Sequence, residues 1–159
     1  MYLYRIDEYV EYSNFISFRK QYFHKKGKEF LEESEKNLKH YDERIANYDP
    51  ECPERTIEIY IKKAEDLILL KNFEEATKCL DTVIKYNYPQ FNVRAYFLKG
   101  FISYILKDYK NALTNYVVAL YQIIPSVEQY WIEDILKEIR ITNKQLYGYE
   151  DGLKKQQNN

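Results

Sequence analysis

Tyr96-Phe97-Leu98-Lys99-Gly100-Phe101-Ile102-Ser103-Tyr104-Ile105-Leu106-Lys107-Asp108-Tyr109-Lys110-Asn111-Ala112 is the stretch that decides the fold. Tyr96, Phe97, Gly100, Phe101, Tyr104 and Ile105 follow the three- and four-residue steps of one helix face. Lys107-Asp108-Tyr109 interrupts the pattern, and Ala112, Leu113, Tyr116, Ala119, Leu120 and Ile123 resume it. The segment therefore predicts helix, turn, helix. Asp108 is placed to cap the second helix and Asn92 the first, because a short polar side chain there satisfies an orphan backbone N–H.

Moving outward, the pattern repeats. Tyr60, Ala64, Phe73, Ala76, Leu80 and Val83 recur as Tyr96, Gly100, Tyr109, Ala112, Tyr116 and Ala119, each 36 residues on, and Pro89 recurs as Pro125. A fixed period of this size is the mark of stacked helical hairpins. Asn72 ahead of Phe73, with Glu75 three residues later, has the spacing of a capping box. The small residues Ala64, Ala76, Gly100, Ala112 and Ala119 have a steric reason, since helices 8 to 10 Å apart leave little room where they cross.

An aromatic, a small residue, an aromatic after the turn, then Ala, aromatic, Ala and a closing Pro resemble the tetratricopeptide repeat family. The resemblance covers 54–89 and 90–125, each two residues longer than the usual unit of about 34. Lys63 and Lys99 stand where the family usually has Leu. A degenerate hairpin is expected over 14–50, with a single long charged helix from about Ser17 to Asn47 as the rival reading. Ser126-Val127-Glu128-Gln129 reads as a capping box that opens a final helix over 126–147. Residues 1–13 form an aromatic arm or short helix, and 148–159 a polar tail. The fold implied is all-α, a right-handed superhelical stack of hairpins with a C-terminal capping helix.

Composition agrees with helix. Four Gly and four Pro in 159 residues leave little material for the tight turns of a sandwich or barrel. The length suits one domain of ordinary size. Lys+Arg 24 against Asp+Glu 25 gives a net charge of −1, so no global field draws the chain to nucleic acid or an anionic membrane. Tyr, Lys, Ile and Asn together supply 63 of the residues, the bias expected of a gene rich in A and T. That bias supplies an alternative to reading the tyrosines as a nucleic-acid stacking platform. The longest uncharged stretch, Asn111 to Val127, falls short of the roughly 20 apolar residues a bilayer requires. Cys52 and Cys79 share no metal or disulfide spacing, which favours a reducing compartment. A cytoplasmic location is the default expectation, with an organellar one left open.

Catalytic chemistry has little to work with. His24 and His40 are sixteen residues apart in lysine-rich surroundings, with no His/Asp/Glu cluster at zinc spacing, so neither a metal nor a cofactor is expected. Cys79 reads as a buried inert thiol, and Cys52 as an exposed one beside acids that discourage a thiolate. A nonenzymatic interaction module is the expectation.

Within the tetratricopeptide family the order of elements is most like the repeat domain of immunophilin-type co-chaperones, which clamp C-terminal carboxylates with Lys, Asn and Arg. Alignment to that clamp carries its positions onto His24, Lys28, Lys62, Arg94 and Leu98. Arg94 alone keeps a standard type, yet His24, Lys25, Lys28, Lys62 and Arg94 could still line a basic groove for an acidic peptide or tail. The alternative is that these lysines are ordinary solvated surface. Tyr4, Tyr9, Tyr12 and Trp131 either pack on the repeats or anchor a partner protein. The leading expectation is a scaffold or assembly subunit of a multiprotein complex, and the alternative is a co-chaperone-like adaptor for acidic segments.

Overall fold

The computed structural model describes residues 18–19, 22–23, 28–48, 50–123 and 129–148, with side chains of the first and last helices described from Leu31 and Ile132 onward. Among the described residues six helices have defined bounds, in order α1 (Lys28–Ala46), α2 (Pro53–Leu69), α3 (Phe73–Tyr86), α4 (Pro89–Ile105), α5 (Tyr109–Gln122) and α6 (Gln129–Tyr147). No strand occurs among the described residues, and none of the described helices is long and apolar enough to cross a membrane. The chain is all-α. Tyr4, Tyr9, Tyr12, the capping-box residues 126–128 and the tail beyond Gly148 lie outside the described residues.

The 36-residue period governs the helix bounds. Both α2 and α4 have 17 residues and open on a proline at the first turn, Pro53 and Pro89, while α3 and α5 each have 14. Proline suits that position because its missing N–H would have had no intrahelical partner and its φ is already helical. Asn92 is therefore not a cap: Pro89 starts α4 three residues earlier, and Asn92 lies buried inside the helix, its Nδ2 donating to Asn87 Oδ1 at 3.5 Å.

Helix ends repeat as closely as helix starts. At the end of α2, Lys71 N–H donates to Ile68 O and Asn72 N–H to Leu67 O; at the end of α4, Lys107 N–H donates to Tyr104 O and Asp108 N–H to Ser103 O. These are paired Schellman closures, with Lys71 and Lys107 both at φ 61° in the left-handed region. The residue that completes each closure then begins the next helix. Asn72 Oδ1 accepts from Glu75 N–H at 3.4 Å and Asp108 Oδ1 from Asn111 N–H at 3.3 Å. Glu75 does not complete the box, since its carboxylate pairs with Lys78 at 2.8 Å instead.

The chain divides into two compact units, 1–79 and 80–159, with the boundary inside α3. In the first, α1 packs on α2. Ile57, Ile61, Ala64 and Ile68 of α2 recur every three or four residues and are buried, forming an apolar stripe. In the second, α4 packs on α5 and α5 on α6. Helix α4 is buried around most of its circumference by Phe91, Val93, Ala95, Phe97, Leu98, Phe101 and Ile102, while the side of Tyr96, Lys99 and Ser103 is half-buried. Ala112 and Ala119 of α5 are wholly buried, and Gly100 meets the Tyr116 ring at the α4–α5 contact.

Candidate functional site

Of the basic residues expected to line a groove, His24 and Lys25 lie outside the described residues, and Lys28 begins α1 with its side chain undescribed. Lys62 is exposed on α2 in the first unit. Arg94 belongs to the second unit and is only 7% exposed, within a run of buried residues in α4. Leu98, the remaining clamp position, is also buried. Trp131 lies on α6 with its side chain undescribed.

Two lysines 36 residues apart, Lys63 and Lys99, do matching work. Lys63 Nζ of α2 pairs with Asp42 Oδ1 of α1 at 2.6 Å, and Lys99 Nζ of α4 pairs with Asp81 Oδ1 of α3 at 2.6 Å. Each lysine reaches from a 17-residue helix to an aspartate on the helix immediately before it. The two lysines are 36 residues apart but the aspartates 39, because six residues connect α1 to α2 and only two connect α3 to α4; the aspartates stand four and five residues before the ends of their helices. Burial, the largest single influence, opposes the charge on Lys63, but the hydrogen bond and charge of Asp42 together with Cys79 and Tyr60 outweigh it, so the ammonium is held more firmly than usual.

The contact between α1 and α2 has a second polar centre that sequence reasoning missed. Asp66 of α2 accepts from Ser34 Oγ at 3.0 Å and is also hydrogen-bonded by Tyr41 and Asn37. The three donors occupy positions 34, 37 and 41 of α1, one stripe of that helix. Burial pushes the Asp66 carboxyl above its ordinary range even though those hydrogen bonds pull it down. Burial, followed by the charge and hydrogen bond of Asp66, raises the Tyr41 phenol in turn. The readable signal was the i, i+3, i+7 spacing of Ser34, Asn37 and Tyr41, which on a charged helix is also the look of a solvated face.

Several large apolar side chains meet solvent. Tyr121 of α5 is 84% exposed and Val117, one turn before it, 41%. Ile132 and Leu136, four apart on α6, are also exposed, as are Leu106 and Tyr147. Cys79 is buried and burial raises its thiol, while Cys52 is half-buried just before α2 rather than exposed. Among the described residues no three His, Cys, Asp or Glu side chains are grouped to hold a metal.

No protein-family model matches the chain, and neither a curated protein nor a solved structure is significantly similar to it.

Proposed function

We propose that the protein is a noncatalytic interaction module, a short superhelical stack of tetratricopeptide-like hairpins with a terminal helix, serving as an assembly subunit of a multiprotein complex. The hairpin reading is supported by the recurrence of helix starts, Schellman closures and caps at 36 residues. The observation that carries the assembly reading is Tyr121. An aromatic ring 84% exposed, with Val117 beside it on the same helix face, is the anchor chemistry of protein interfaces, where apolar area is covered and a phenol keeps a hydrogen-bonding end.

The test is native purification of the tagged protein from its own cells over a salt series, with mass spectrometry of what comes with it. A stoichiometric partner retained at high salt and lost from Tyr121→Ser supports a structural subunit held by apolar contact. If no such partner is found, or Tyr121→Ser retains it in full, the assembly reading fails. The alternative, an adaptor for acidic peptides, rests on exposed Lys62, and predicts binding that weakens as salt rises and is lost in Lys62→Glu.

A further inference from the structure

The two long faces of α2 differ in kind. One carries the apolar stripe Ile57, Ile61, Ala64 and Ile68. The other, Thr56, Ile59, Lys63 and Asp66, is where α1 lies, because Lys63 and Asp66 both bond residues of that helix. From α1 the matching stripe is Ser34, Asn37, Leu38, Tyr41 and Ile45. Of the described α1 side chains only Ser34 is fully buried; Leu38, Tyr41 and Ile45 are half-buried, and Leu31 is exposed. Among the described side chains Ile59 of α2 is the buried apolar one on this face, so α1 itself brings little of the apolar burial that grows with area and fixes helices to a core.

Hydrogen bonds and an ion pair take its place. Each exchanges partners with water at little net gain, and the Lys63–Asp42 pair is open to solvent on the aspartate side. The Asp66 carboxylate also gives up hydration to be there, as its raised pKa records. Helices held in this way belong to the part of a protein that opens first.

We propose that α1 is a displaceable helix, latched to α2 by the seam of Asp66 with Ser34, Asn37 and Tyr41 and of Lys63 with Asp42, and that it undocks while α2 stays folded. The undocked state uncovers a strip of α2, Thr56, Ile59, Lys63 and Asp66, that the docked helix hides, so the latch controls access to that face. This inference is independent of the assembly reading and of which surface carries a partner.

Amide hydrogen exchange on the intact chain tests it. Amides of Leu31–Ala46 are expected to exchange as a group at least tenfold faster than those of Ile57–Ile68. Ser34→Ala and Lys63→Met, each deleting one element of the latch, are expected to speed exchange in α1 by about fivefold and leave α2 unchanged, the effect of about 1 kcal/mol in a local opening. Equal protection of α1 and α2 in the wild-type chain overturns the proposal, and so does a variant that accelerates both helices together.

Discussion

A Cβ on Gly100 would stand 2.7 Å from both Cδ1 and Cε1 of Tyr116, so the α4–α5 contact closes only because position 100 has no side chain. Tyr116 is wholly buried and its ring also meets Phe97 at a centroid distance of 5.5 Å, which leaves it no vacant side to retreat to. Gly100→Ala sets a gain of about 1 kcal/mol in helix propensity against an overpacking cost of about 1–3 kcal/mol. A net loss of up to about 2 kcal/mol is expected in urea unfolding. Adding Tyr116→Leu should recover part of it in the Ala background while destabilising the Gly100 parent, a sign reversal that direct contact requires.

Lys71 and Lys107 hold the left-handed conformation that glycine adopts without a Cβ penalty. Lys71→Gly and Lys107→Gly should each raise stability by up to about 1 kcal/mol, and the double variant should approach their sum since the turns share no partner. Thermal unfolding checks this; a fall in midpoint for either would mean the lysine side chain stabilises its turn by more than the conformation costs.

For Lys99 and Asp81 the contact is half-exposed, with side-chain exposures of 25% and 49%. A double-mutant cycle of Lys99→Met and Asp81→Asn should return a coupling of about 0.5–1 kcal/mol that shrinks between low and high salt. Lys99→Leu, which restores the apolar residue usual in the resembled family, should cost less than Asp81→Asn, because it removes the burdened charge along with its bond.

Asp66 predicts a pH dependence of definite sign. Its folded pKa is raised above the ordinary carboxylate value, so folding favours the protonated acid. That advantage is fully present below the ordinary pKa and is lost as the pH rises through the raised one. Asp66→Asn keeps an oxygen for Ser34 and Tyr41 and never ionises. Its stability relative to wild type should therefore improve from pH 3 to pH 7, as measured by urea unfolding at each pH, and a difference that moves toward the aspartate over that range would contradict the assignment.

Much of this architecture was legible because its signals are local. Asn72 and Asp108 announce helix starts by their own chemistry, and the 36-residue recurrence of small and aromatic residues locates α2 to α5. Asn92 misled for a local reason too, since the stronger start signal of Pro89 stands three residues ahead of it. What stayed hidden is chemistry between distant positions. Lys63 and Asp42 are 21 residues apart and Lys99 and Asp81 18, with nothing in either neighbourhood to mark a partner. Arg94 reads as an open groove cation by alignment, and only its burial in α4 shows it inside the fold.

Because Asn72 and Asp108 each finish one helix with the backbone and start the next with the side chain, those two junctions have no spare length. An inserted epitope or fluorophore-labelling loop there would sever a closure and a cap together. Between Ala46 and Pro53 the described residues include no such shared residue, Cys52 giving α2 no side-chain cap, and this connection is the place expected to accept lengthening, nicking or fusion.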